Sequence, residues 1–329
     1  MQKNKYIILS FISICFISIF LYGSLLSMSI GCDKEDYKLT INKNSSIHDI
    51  SLILEDKICL NPMIFKFSLL ITFNQRKIKY GRYDLRTVED IKSLIRLLTS
   101  VNSERVRVTL IEGWRLQEIA LELENKMHID VETFISLCYD SKIIKNFNLG
   151  DNINNLEGFL YPDTYLFLKT YTEFDVINIL VKQFKKNYKK YINGKGILNM
   201  YDTVVLASII QGESKYKNDM DTISSVYHNR LNKDMLLQAD PTIQYILPVK
   251  KKRVMYKDTK IVNPYNTYIN KGLPPGPINN PGINAIVAAG MPPNTKYLYF
   301  VANGEGTHIF NNTYNDHLKS KRNVSRKSK

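Results

Sequence analysis

No charged residue occurs between Tyr6 and Cys32, a stretch dominated by Ile, Phe, Leu and Ser. About 20 apolar residues suffice for a helix to cross the hydrocarbon core of a bilayer, so residues 6–30 are expected to form a single transmembrane helix. Lys3 and Lys5 precede it, whereas Asp33, Glu35 and Asp36 follow it with only Lys34 among them. Positive charge stays on the cytoplasmic side, which leaves residues 1–5 in the cytoplasm and carries the rest of the chain across. A cleaved signal peptide and a lipoprotein anchor at Cys32 share such a leader. The first usually has an apolar core of only about 7–15 residues, and Ser29 is a poor residue three positions before a lipidated cysteine, so the uncleaved anchor is preferred.

Past the leader the pattern changes to short alternating and helical segments. Tyr37–Ile41 alternates as a strand, and Ser45 and Ser46 offer capping oxygens before Ile47, Ile50 and Leu54. Pro62 opens a second helix through Phe65 and Leu69, Gly81-Arg82-Tyr83-Asp84 reads as a turn, and Val88–Leu98 as a further helix. Residues 37–105 in this strand–helix–helix–strand order resemble a LysM-like module, the small fold that often grips glycans. Residues 106–318 read as a larger mixed α/β domain. It has a strand at Val106–Ile111, helices at Leu116–Lys126 and Asp130–Cys138, and a basic amphipathic stretch at Phe174–Tyr191. Further helices run from Tyr201 and over Met220–Leu231, before a closing hairpin of Tyr297–Val301 with His308–Phe310. The fold class is therefore α+β.

The net charge of +14 points to an anionic partner. The lysines are spread along the chain and mixed with Asn and Ile, and no nucleic-acid-binding motif is present, so nucleic acid is not the expected partner. Only residues 319–329 form a dense basic run, read as a disordered, solvated tail. The four cysteines, at 15, 32, 59 and 138, include no CxxC spacing, and the five histidines include no HExxH pair. Neither a metal site, a cofactor nor a disulfide framework is expected.

The candidate chemistry begins with Val204–Ser214, VVLASIIQGES. On a helix Leu206, Ile209, Ile210 and Glu213 share one face, which puts a carboxylate on an apolar stripe. An ionised carboxylate is costly there unless paired, so a raised pKa is expected of a group held for chemistry; a solvated edge residue or a salt-bridge partner has the same spacing. Residues 155–168, NLEGFLYPDTYLFL, set Glu157 and Asp163 among aromatics, with Gly158 and Pro162 preventing a regular helix. A sugar groove and a buried loop pinned by hydrogen-bonded carboxylates fit that pattern equally. The polar Leu237–Thr242 and the Pro-rich, Gly-punctuated Tyr265–Gly282 read as long structured loops of the kind that hold substrates.

These segments coincide with a known family. LEGFLYPDTY at 156–165, LASIIQGES at 206–214, NRL at 229–231, LQADPT at 237–242, YNTY at 265–268, GLPPGPI at 272–278 and YLYFV at 297–301 together resemble the YceG-like endolytic murein transglycosylases, over nearly the whole chain. The resemblance implies a single-pass bacterial inner-membrane enzyme with its N-terminus cytoplasmic and its catalytic domain outside. It would cut peptidoglycan glycan strands internally, between MurNAc and GlcNAc, and leave 1,6-anhydro-MurNAc ends. It implies Glu213 as the catalytic acid, and Glu157, Tyr161, Asp163, Gln238, Asp240, Thr242, Asn266 and Tyr268 as candidates for binding sugar. Penicillin-binding proteins of the wall machinery are the implied partners. The family's usual E-x-E pattern has Gln211 at its first acidic position here, turned about 160° from Glu213 on a helix, and Gly212 between them weakens the last turn. A glycoside hydrolase, with Asp163 or Asp240 as second carboxylate, and an inactive glycan-binding scaffold are the competing readings.

Overall fold

A computed structural model of the chain describes residues 2–30, 37–42, 44–100, 105–150, 153–214 and 216–327. The chain divides into two compact units, one of Met1–Val106 with Phe167–Thr172 and one of Arg107–Leu166 with Glu173–Lys329.

The first unit runs α1 (Gln2–Leu26), β1 (Lys38–Ile41), α2 (Ile47–Ile58), α3 (Pro62–Ile71), β2 (Gly81–Asp84) and α4 (Ile91–Thr99). Its helices begin where side chains satisfy the free backbone amides. Ser46 and Asp49 form a reciprocal capping box on α2, Asn61 accepts from Met63 and Ile64 ahead of Pro62, and Asp90 accepts from Ser93. The Gly81–Asp84 segment, read as a turn, is instead the strand that pairs antiparallel with β1, Leu39 opposite Tyr83 and Ile41 opposite Gly81. Gly81 is required there: a Cβ on it would come within 2.5 Å of the Thr170 carbonyl oxygen, to which Arg82 donates its N–H. Leu39, Leu54, Phe65, Leu69, Leu94 and Leu98 close a core with no exposure. Cys59, at the left-handed end of α2, is disulfide-bonded. That corrects the expectation of no disulfide, and its partner lies outside the described residues.

In α1, Ile14, Phe16, Ile17, Ile19, Phe20 and Leu21 are all exposed. The side chains of residues 1–12 lie outside the described residues, and so do residues 31–36, where the leader ends. Among the described residues no helix is long and apolar enough to cross a membrane.

β3 (Arg105–Thr109) and β4 (Thr164–Leu168) each have residues in both units, and the second unit holds α5 (Leu116–Met127), α6 (Val131–Tyr139), α7 (Ser141–Asn146), α8 (Glu173–Tyr191), α9 (Met200–Glu213), α10 (Lys217–Asn232), α11 (Asp240–Ile246), α12 (Ile283–Gly290), the hairpin β5 (Tyr299–Ala302) and β6 (His308–Asn311), and α13 (Tyr314–Lys327). β3 pairs with β4 as a two-stranded sheet. α9 is the helix the others pack on: Thr203 to Gln211 are all buried, against α10, α11 and above all α12. It is therefore buried on every side over two turns, and not along a single stripe.

Two more expectations change. Asp240-Pro241-Thr242, read as loop, opens α11, because Pro at the first turn loses no hydrogen bond there. The basic end is helical to Lys327, started by Thr313 and Asp316, whose side chains bond each other and whose Asp316 N–H reaches the Thr313 hydroxyl.

Candidate active site

Glu213 closes the last turn of α9 and is half-buried. Its Oε1 accepts a 2.7 Å hydrogen bond from the hydroxyl of Tyr227, a fully buried residue of α10. Burial pushes its pKa up to about 7; the Tyr227 bond and the Arg230 charge pull the other way, and the nearby Asp240 carboxylate adds to the rise. The result is a carboxyl that holds its proton near neutrality while remaining open to solvent on one side.

Arg230 lies one turn beyond Tyr227 on the same face of α10. It is 7% exposed, its guanidinium donates to the carbonyls of Leu298, Leu236 and Leu237, and it sits over the Tyr299 ring. Because these partners are neutral, its charge is not cancelled and acts on Glu213 and Tyr227. Tyr268 donates to Asp240 Oδ1 at 2.5 Å, and burial first, then that carboxylate, keeps the phenol proton bound well above its ordinary range. Tyr227→Phe is expected to leave the fold intact and lower kcat about tenfold. It should move the basic limb of kcat/KM upward in pH, because the lost bond favours ionised Glu213; initial rates from pH 5 to 9 provide the check.

Gly212 has a function in this geometry. A Cβ on it would lie 2.6 Å from Cβ and 2.8 Å from Cγ of Pro241, so the missing side chain lets the start of α11 pack on the turn that carries Glu213. Alanine would gain about 1 kcal/mol of helix propensity and lose about 1–3 kcal/mol to overpacking. Gly212→Ala is thus expected to lower Tm by a few degrees in calorimetry and to displace Asp240.

The expected sugar-binding residues separate into two groups. Asp240 and Tyr268 are brought to Glu213, and Gln238 stands exposed just before them, its left-handed backbone (φ 49°) held by the Thr267 carbonyl. The others are engaged in holding the protein's own segments together. Glu157 is 5% exposed and accepts from the Leu116 N–H and from Asn280 Nδ2 at 2.8 Å, while burial lifts its pKa to about 8. Tyr161 is buried, with its carbonyl taking the Tyr165 hydroxyl, and exposed Asp163 accepts from the Thr164 N–H. Thr242 bonds Ala239 and Thr267, and Asn266 ties together Thr259, Ile261 and Tyr268. A cavity of about 430 Å³ opens elsewhere in this unit, beside Lys185, Lys186, Lys189 and Met200, and its lining includes no carboxylate.

Tyr227 and Arg230 are the candidate site residues that the sequence pattern left out. Their signal was faint but present: an arginine three residues after a tyrosine, on the face of α10 that otherwise carries Ile223 and Val226 to the core.

A carboxyl of raised pKa at the end of a buried helix, bonded to a phenol and within the fields of a guanidinium and a second carboxylate, makes this a candidate proton-transfer site in a mixed α/β protein. The comparisons with known proteins give its relationship. A model of the YceG-like family matches residues 39–323, and the chain belongs to that family. It is 34% identical to an endolytic murein transglycosylase of Bacillus subtilis, over 92% of this chain and 89% of that protein. It is 29% identical to one of Streptococcus pneumoniae, over 84% of this chain but only 56% of the pneumococcal protein. A crystal structure of a putative YceG-like protein from Listeria monocytogenes superposes with a TM-score of 0.60 at 33% identity, over 87% of this chain and 99% of that one.

Proposed function

We propose that this protein is an endolytic murein transglycosylase in which Glu213 is acid and then base. The observation that carries the reading is the half-buried Glu213 carboxyl, its pKa raised to about 7 and one oxygen fixed by Tyr227. With Oε1 occupied by the phenol, Oε2 is left to carry the proton. That proton goes to the glycosidic oxygen between MurNAc C1 and GlcNAc C4, and the C1–O bond breaks. The carboxylate formed, stabilised by Tyr227 and Arg230, takes the proton of the MurNAc C6 hydroxyl as that oxygen bonds to C1. Glu213 is regenerated, no water is consumed, and the new end is 1,6-anhydro.

Asp240, close enough to raise Glu213, favours a second reading: a hydrolase in which it activates water. Its engagement by Tyr268 argues against that role. Digestion of purified sacculi by the protein, with mass spectrometry of the released ends, separates the two. Anhydro ends within long strands are expected; reducing MurNAc ends would assign the site to hydrolysis.

The setting belongs to the same proposal. The exposed apolar side chains of α1 support a helix standing in lipid as a single N-terminal anchor, and the disulfide at Cys59 supports an oxidising compartment outside the cytoplasm. The order β1, α2, α3, β2 supports a LysM-like module for holding glycan. Penicillin-binding proteins as partners rest on the family resemblance alone.

A further inference from the structure

Gln211 and Glu213 leave α9 on opposite sides. Glu213 turns to α10 and α11, whereas Gln211 turns to the segment before α12 and accepts the Gly282 N–H at 2.9 Å on its Oε1. Its amide nitrogen is then left as a donor, and it donates to the carboxylate of Glu112, in the turn between β3 and α5. That turn is itself bound to the same segment from both directions: Gly113 donates to the Asn280 carbonyl at 2.8 Å, and Asn280 returns its N–H to the Trp114 carbonyl at 2.8 Å. The Glu112 carboxylate lies directly on the Gly282 backbone, where a Cβ would come within 2.0 Å of it. A Cβ on Gly113 would stand 3.4 Å from Gln211 Cγ.

We propose that Glu112 is a positioning residue for Glu213, acting through Gln211 as a clasp that fixes the last turn of α9. The inference rests on the role assigned to Glu213 above. The polarity of the contacts carries it. Gly282 presents a donor and Glu112 an acceptor, so the side chain between them must accept on one atom and donate on another. Glutamine does so without titrating. A glutamate at position 211 would meet Glu112 as a second carboxylate and close the clasp only by sharing a proton. Gln211 and Glu112 thus form a matched pair in this chain, and exchanging the two side chains restores the match. A carboxylate at position 211 would then accept from both the Gly282 N–H and the amide placed at position 112.

The experiment uses the full-length protein in four forms: wild type, Gln211→Glu, Glu112→Ala and the exchange Glu112→Gln/Gln211→Glu. Each is assayed from pH 4.5 to 8.5, and its glutamate carboxyls are titrated by NMR after 13C labelling, with Glu213→Gln as the assignment control. The expected result is that Gln211→Glu lowers kcat about tenfold at pH 7.5 with KM changed less than threefold, and recovers at acidic pH. Glu112→Ala should lower kcat at all pH values, and the exchange should return kcat to within about threefold of wild type. The Glu213 carboxyl resonance should shift in the single variants and return in the exchange. An unchanged Glu213 titration in Gln211→Glu, or an exchange no better than the single variants, overturns the proposal. Should Gln211→Glu fail to fold, the exchange decides in the same way. Because the titration needs no substrate, it tests the clasp even if the wild type proves unable to cut glycan, a failure that would count against the transglycosylase reading alone.

Discussion

Glu213→Gln is expected to reduce kcat on glycan strands by about 10³-fold or more, within the range that general acid–base groups contribute, with a smaller change in KM. The amide keeps the size of the side chain and can still accept from Tyr227, so the packing that α9 makes is undisturbed and only the transferable proton is lost. Two pH effects separate loss of the acid from loss of the fold. In the wild type, kcat/KM should fall as pH rises through about 7, where the acid loses its proton; this limb disappears with the variant. Stability should fall over the same range, but the variant should reverse that loss. A carboxyl whose folded pKa is raised favours the folded state most below its unfolded value, and that advantage is lost as pH rises from about 4.5 through about 7. Replacing it with a neutral amide should therefore raise Tm at pH 8 and leave it nearly unchanged at pH 4.5. A variant that is inactive and less stable at pH 8 would mean that Glu213 is structural.

The parts of this architecture that could be read from the sequence are those set by local chemistry. The capping serine ahead of α2, the proline that opens α3 and the glycine-turned hairpin β5–β6 each record a backbone requirement in the residues that meet it. The direction of Glu213 relative to Gln211 also follows from helical rotation alone. What stayed hidden depends on contacts between residues distant in the chain. α9 looked like an amphipathic helix, yet it is enclosed on all sides, so a carboxylate at its end says less about catalysis than its partners do. Tyr227 is indistinguishable from a core aromatic until the α9–α10 packing brings its hydroxyl to Glu213. Gly212 seemed a weakness of the helix, and only the Pro241 ring packed beside it supplies a reason for its presence.

Gly158→Ala is expected to destabilise the second unit by about 2–5 kcal/mol, enough to lower Tm by roughly 10 °C, because of what the motif at 156–165 packs against. Gly158 has φ +87°, where a side chain costs about 1–2 kcal/mol. A Cβ there would also lie 2.6 Å from Val204 Cγ1 and 2.7 Å from Pro277, and overpacking of that kind adds about 1–3 kcal/mol. No flexible side-chain end can give way, because Val204 belongs to α9 and Pro277 to the loop that α9 holds along one face. On that face Tyr201 donates to the Pro275 carbonyl, the Ser208 hydroxyl accepts from Ile278, the Ser208 carbonyl accepts from Asn279, and Gln211 accepts from Gly282. Glu157, next to Gly158, fixes the start of α5 and Asn280 to the same assembly. The acid and glycine of this motif therefore build the wall behind α9, on the face opposite Glu213. If that is correct, Gly158→Ala measured well below its Tm should retain the wild-type pH limb near 7 even as its thermal unfolding moves down. A shift of that limb at unchanged Tm would instead place the motif in contact with the reacting sugar.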